Sequence, residues 1–159
     1  MPEVYLLTEE TRQNILDRPG VSAVLTVERG HIRRFAEAIG DNNPLFVEEG
    51  VACRSRYGGI IAPPTFLRAV SLDLVDIPEL AAATAILDGG SEWEYFQPVY
   101  VGDVVTGVTR VVKLNQRNLR VGPAIFLVLE TVYTNQHGQM LAVQRSTIIR
   151  YAPVEVNGE

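Results

Sequence analysis

Cysteine is almost absent from this chain. Cys53 is the single one among 159 residues, so no internal disulfide can form. No secretory pattern marks the first residues, and a reducing, cytoplasmic home is expected. Histidine is scarce as well. His31 and His137 lie far apart and are too few to suggest a zinc site, so no metal is expected. Both read as solvated surface residues. No apolar run approaches the ~18 residues of a membrane span. No cluster of Lys or Arg stands out against a net charge of -5. A membrane or a nucleic acid is therefore not expected as partner. Repeats and low-complexity linkers are missing too. Cys53 has no histidine near it in sequence and reads as a small residue on a packed or semi-exposed face, not as a nucleophile.

What is present suits one globular domain, taken as residues 1–159 with a core of about 20–151. Hydrophobic residues make up 47% and charged residues 21%. Such a chain can bury a core without disulfides or metal. Thr8 ahead of Glu9 and Glu10 predicts a short helix that stops before Pro19-Gly20. Val21–Val27 is rich in β-branched residues and predicts a strand. Over Glu28–Ile39, the spacing of Ile32, Phe35, Ala36 and Ile39 predicts an amphipathic helix, with Gly40 to end it.

A loop-like stretch with Gly50, Gly58 and Gly59 then leads to Ile60-Ile61-Ala62-Pro63-Pro64. Proline is tolerated in the first turn of a helix, so a helix is predicted from Pro64 to about Asp76. It is apolar on most faces (Phe66, Leu67, Val70, Leu72, Leu74), which predicts burial. From Ala85 onward the pattern is β: Ala85–Gln97, Val104–Leu114, Ala124–Asn135 and Gln139–Tyr151. The links are Asn115–Gly122 and the Asn135–Gly138 turn. Short links make these strands antiparallel. The expected plan is α+β, a curved antiparallel sheet around one helix, with exposed edges that a dimer would pair.

The segment Phe35–Phe66 reads FAEAIGDNNPLFVEEGVACRSRYGGIIAPPTF. It resembles the MaoC-like hydratase and dehydratase family, which typically shows Gly-Asp-x-Asn-Pro-[apolar]-His followed by an acid. Here Gly40-Asp41-Asn42-Asn43-Pro44-Leu45 matches, with Glu48 or Glu49 after it. The Ala62-Pro63-Pro64-Thr65-Phe66 run is similar to that of the N-terminal-type MaoC dehydratase domains, as in (3R)-hydroxyacyl-ACP dehydratase subunits. So are Glu92–Phe96, Gly102-Asp103 and Arg145–Thr147. The resemblance implies a hot-dog fold and pairing with a second such unit. It implies reversible addition of water to a trans-2-enoyl thioester, carried by coenzyme A or acyl carrier protein, with no further cofactor.

That reaction needs acid–base groups and donors facing the thioester oxygen. Asp41 falls at the family's Asp position and reads either as a catalytic acid or as a cap of the loop. Asn43 reads as a turn residue, with contact to the substrate's polar end as the alternative. The family's His, five residues on, is Phe46 here, and the Gly that offers its N–H as oxyanion donor is Pro64. Phenylalanine moves no proton and proline has no N–H. The acyl pocket is expected from Ile60, Ile61, Pro64, Thr65, Phe66, Val70 and Trp93. Arg54, Arg56, Arg117 and Arg120 are scattered cations that could meet carrier phosphates, although scattered arginines usually read as solvated.

Three functions follow. The first is a dehydratase or hydratase subunit that shapes the acyl pocket beside a catalytic MaoC-like partner. The second is a stand-alone homodimeric (R)-specific enoyl-CoA hydratase using Asp41. The third is an acyl-CoA-binding module without chemistry. A thioesterase would want a carboxylate where the Pro-Pro pair stands.

Overall fold

Alternation of apolar and polar residues, period two, dictates the largest part of the molecule. The structure, a computed structural model, describes residues 7–70, 76–120 and 122–152. Five strands form one sheet: β1 (Val21–Thr26), β2 (Ala85–Tyr95), β3 (Val104–Leu119), β4 (Gly122–Thr134) and β5 (Met140–Tyr151). Their spatial order is β1-β3-β4-β5-β2, and every neighbouring pair is antiparallel. β1 and β2 are thus the two edges. This is the antiparallel α+β plan that the sequence predicts.

β3 and β4 run longer than expected. Asn115–Leu119, read as a link, continues β3 and pairs with Gly122–Phe126. Contacts with other elements support the extension: the Arg117 guanidinium lies 5.1 Å from the centre of the Phe126 ring, and Gln116 Oε1 accepts from Leu7 N–H at 2.9 Å. β2 stops at Tyr95, two residues early, because the Phe96 and Gln97 N–H groups both turn to Leu141 O. Within β2 the register shifts between Asp88 and Ser91, where Gly90 takes φ 98 and its N–H meets Asp88 Oδ1 at 2.8 Å. Such a bulge kinks an edge strand, and only glycine adopts that φ without cost.

Helix α1 (Glu9–Leu16) starts where expected, with the Thr8 hydroxyl accepting from Thr11 N–H at 3.1 Å. α2 (Arg29–Ala38) is capped by Glu28, whose N–H reaches His31 Nδ1 at 3.4 Å. Ile32 and Ala36 are buried, whereas Ile39, beyond the last turn, is 49% exposed. Gly40 follows at φ 69. A short α3 (Glu49–Arg54) occupies part of the stretch expected to be loop and carries Cys53, which is exposed.

The segment after Pro63 differs from expectation in its geometry. Pro64–Ala69 is a 3-10 helix, not an α-helix, and Val70 leaves it at ψ 98. Two prolines at its start remove two N–H donors. The remaining bonds are of the tighter kind, Phe66 N–H to Pro63 O at 2.9 Å and Val70 N–H to Leu67 O at 3.1 Å. Its continuation toward Asp76 falls mostly on residues 71–75, outside the described residues. Phe66, Leu67 and Val70 are nonetheless buried against the sheet.

The interior has two apolar clusters. One gathers Val27, Ile32, Phe46, Ile60, Phe66, Leu67 and Leu141; the other gathers Ile15, Ile77, Leu80, Leu114 and Leu127. Along β3 and β4 a hydroxyl pair separates them, Thr109 Oγ1 to Thr131 Oγ1 at 2.7 Å. Both hydroxyls are buried and each satisfies the other, as buried polar groups require.

Candidate functional site

The Asp41-Asn42-Asn43-Pro44 turn folds as its chemistry dictates. Asp41 N–H donates to Ala36 O at 2.9 Å, and its Oδ1 accepts from Asn43 N–H at 3.0 Å. Asn43 Oδ1 in turn accepts from Leu45 N–H at 3.1 Å, capping a 3-10 turn over Pro44–Phe46. Small polar side chains bonding their own backbone two residues on are the mechanism of such turns. Asp41 Oδ2 has no hydrogen-bond partner among the described residues.

This turn faces the strap Ile60–Pro64. Ile61 N–H reaches Leu45 O at 3.3 Å, and Ala62 N–H reaches Val99 O at 2.8 Å. Together they bound a cleft of about 620 Å³. Its apolar wall includes Phe46, Ile61, Leu67 and Val99; its polar rim includes Asp41, Asn43, Arg56 and Gln97. Tyr95 and Phe96 close it on the β2 side. That size suits a small-molecule ligand with an apolar body.

The expected site residues divide by place. Asp41, Asn43, Ile61 and Pro64 line the cleft together. Thr65 is exposed beside it and does not line it. Ile60, Phe66 and Val70 lie in the larger apolar cluster. Phe66 also meets Phe35 edge to face, with centroids 5.5 Å apart. Trp93 stands behind the wall. Its ring stacks on Tyr95 at 5.6 Å and on Tyr133 at 5.8 Å, so three near-parallel rings run from the cleft into the core.

Burial pushes the Tyr133 phenol up to about 12 and raises that of Tyr95. Both stay neutral at pH 7. The Tyr133 hydroxyl donates to Gln144 Oε1 at 3.0 Å. The cleft lining holds no histidine. His31 sits in the first turn of α2 and His137 in the β4–β5 turn. Among the described residues no group of three His, Cys, Asp or Glu is placed to hold a metal, and no helix is long and apolar enough to cross a membrane.

Sequence reasoning does not single out Tyr57, Tyr95, Phe96, Gln97 or Val99 as cleft residues. Pro98 marks the break in the β pattern just beyond β2, where the Ala62 N–H bond to Val99 O ties this segment to the strap. Of the four arginines considered for phosphates, Arg56 alone lines the cleft.

Comparison with known proteins agrees with this geometry. Residues 21–144 match the family described as "FAS1-like, dehydratase domain region". A UPF0336 protein of Saccharopolyspora erythraea is 30% identical over 134 residues, 81% of this chain and 83% of that protein. Two further curated relatives are spanned over 57% and 59% of their own length. The ChsH1-ChsH2 complex from Mycobacterium tuberculosis superposes with a TM-score of 0.78 at 19% identity, covering 94% of this chain and 93% of that one. The HadBC (3R-hydroxyacyl-ACP dehydratase) complex from the same organism gives 0.64 at 21%, covering 85% and 98%. At these identities the likeness is one of fold, and the fold is the hot-dog plan expected from the sequence.

Proposed function

This chain belongs to the MaoC-like dehydratase family, in its FAS1-like dehydratase region, and from that premise we propose that it is the pocket-shaping subunit of an (R)-specific 3-hydroxyacyl-thioester dehydratase, or enoyl-thioester hydratase. A second MaoC-like subunit would supply the complete acid–base pair. The substrate would be an acyl-CoA or acyl-carrier-protein thioester in the cytoplasm, with no further cofactor.

One observation carries this reading: the cleft holds Asp41 yet offers Phe46, buried at 4% exposure, where a second proton-moving group is needed. Dehydration removes a proton from C2 and delivers one to the hydroxyl leaving C3. One carboxylate without a partner serves that poorly. The Pro63-Pro64 pair likewise withdraws two N–H donors from the start of the 3-10 helix. The cleft opens beside β2, an edge strand with Ile86, Leu87 and Tyr95 exposed. Unpaired edges with apolar side chains favour association. ChsH1-ChsH2 and HadBC are both complexes of two differently named components, which supports a partner of the same kind here.

The test is hydration of crotonyl-CoA, followed by loss of enoyl-thioester absorbance. The pure chain is expected to be inactive, and activity should appear on adding a MaoC-like subunit that has both Asp and His. Fast turnover by the pure chain would overturn the proposal. It would favour a homodimeric hydratase using Asp41, a reading supported by the unpartnered Oδ2 in the cleft. Asp41→Asn keeps the turn's acceptor and should then abolish turnover. Binding of acyl-CoA without turnover under any pairing would leave a binding module.

A further inference from the structure

The cleft rim carries one cation, Arg56, which is exposed and rests against the ring of its neighbour Tyr57. Arg56 Nη2 donates to the Tyr57 hydroxyl at 2.7 Å, and its Cζ lies 4.8 Å from the centre of the same ring. Tyr57 is itself held. It packs against the larger apolar cluster, and its N–H meets Ser55 Oγ at 3.1 Å. Ser55 Oγ in turn donates to Ala52 O at the end of α3, at 2.6 Å. Tyr57 thus gives the exposed guanidinium a favoured position over the cleft rim, which lowers the entropy lost on binding.

Arg56 has no carboxylate partner among the described residues, whereas Arg18, Arg29, Arg33, Arg110 and Arg145 each have one. The chain as a whole carries a net charge of -5 and repels anions. Seven other arginines among the described residues also lack a carboxylate partner; what sets Arg56 apart is its place in the cleft lining, where the other charged group is Asp41. Below Arg56 the wall is apolar, with Phe46, Ile61, Leu67 and Val99. The two ends ask for a ligand with an apolar tail and an anionic, solvent-facing head.

We propose that Arg56, with Tyr57 as its positioning residue, contacts the phosphate of the pantetheine carrier that bears the acyl group. The assignment rests on the acyl-thioester reading of the cleft. A guanidinium matches phosphate oxygens with paired N–H donors, and one edge stays available while Nη2 holds Tyr57. Coenzyme A and the prosthetic arm of an acyl carrier protein share the 4′-phosphate of pantetheine. Coenzyme A adds the nucleotide-side phosphates.

Saturated thioesters cannot be hydrated, so binding can be read alone. Calorimetry on the full chain would compare butyryl-CoA, butyryl-4′-phosphopantetheine and butyryl-pantetheine. Arg56→Gln is expected to weaken the phosphate-bearing ligands about tenfold and leave butyryl-pantetheine unchanged. Tyr57→Phe keeps the ring and should weaken the same ligands by about twofold to threefold. Equal losses for CoA and phosphopantetheine support the shared 4′-phosphate, which either carrier presents. A loss confined to CoA places the contact on its nucleotide-side phosphates and overturns the assignment to pantetheine's phosphate. An Arg56→Gln effect as large on butyryl-pantetheine, or none on any ligand, overturns the proposal while sparing the acyl cleft. No binding of any thioester, butyryl-pantetheine included, overturns the acyl-thioester reading itself.

Discussion

Replacing Phe46 with histidine installs the side chain that the family pattern leads one to expect five residues after Asp41. The substitution removes a ring that is 4% exposed and packed in the larger apolar cluster. Full burial of such a side chain contributes about 1.5–3 kcal/mol, of which the smaller, more polar imidazole recovers only part. A buried ring nitrogen left without a partner costs about 1–3 kcal/mol more. The sum is a loss of about 2–4 kcal/mol at neutral pH. For a chain of this length that lowers Tm by about 5–15 °C. The loss should also depend on pH. Burial disfavours the imidazolium, so the folded-state pKa falls below the unfolded value of about 6.5. The unfolded chain then binds the extra proton, and stability is lost as pH falls through that range. Thermal unfolding followed by circular dichroism at pH 8, 6.5 and 5 gives the gap between parent and variant, which should widen toward pH 5. A constant gap would refute buried packing of residue 46. A gap that narrows toward pH 5 would refute it too, because the imidazole would then be charged and paired with Asp41.

Three further outcomes can be checked in solution. A methyl group on Gly107 would meet the Tyr133 ring at 3.1 and 3.2 Å while Trp93 stacks on that ring at 5.8 Å; Gly107→Ala should cost about 1–3 kcal/mol in urea unfolding. Glu130 binds Arg110 at 3.0 Å and Arg145 at 2.9 Å, and the Arg110 hydrogen bond leads in lowering its pKa from 4.5. The stability it adds is present at neutral pH and is lost as pH falls through the lowered pKa. Glu130→Gln should therefore cost about 1 kcal/mol at pH 7, and the difference should fade below pH 4.5. Asp41→Ala removes the acceptor for Asn43 N–H and should destabilise by about 1 kcal/mol, whereas Asp41→Asn retains it and should be near neutral in the same unfolding assay.

Where local chemistry decides structure, the sequence was easy to read. Thr8, the spacing of Ile32 and Ala36, Gly40 and the β-branched runs all mark elements that form. Boundaries set by partners were harder. Nothing local in Asn115–Leu119 announces a strand; pairing with Gly122–Phe126 makes it one. An apolar stretch after Pro64 suggests an α-helix by composition, but two missing N–H groups favour a 3-10 start. The same distinction holds in the cleft. Asp41, Asn43, Ile61 and Pro64 were legible because a motif groups them. Arg56 and Tyr57 sit between motifs, and Tyr95 and Phe96 come from the far end of the sheet, so only the folded chain brings them to one cleft.

The stack of Tyr133, Trp93 and Tyr95 has a practical consequence. Trp93 is the chain's one indole, half-buried on the edge strand, and its neighbour Tyr95 forms part of the cleft wall. Fluorescence excited at the red edge of the absorption band therefore comes from a single known place. Coverage of β2 by another subunit would remove water from that ring and shift its emission to the blue, while a ligand against Tyr95 would alter its quenching without such a shift. Assembly and occupancy can thus be told apart in unlabelled protein by two optical properties of one residue.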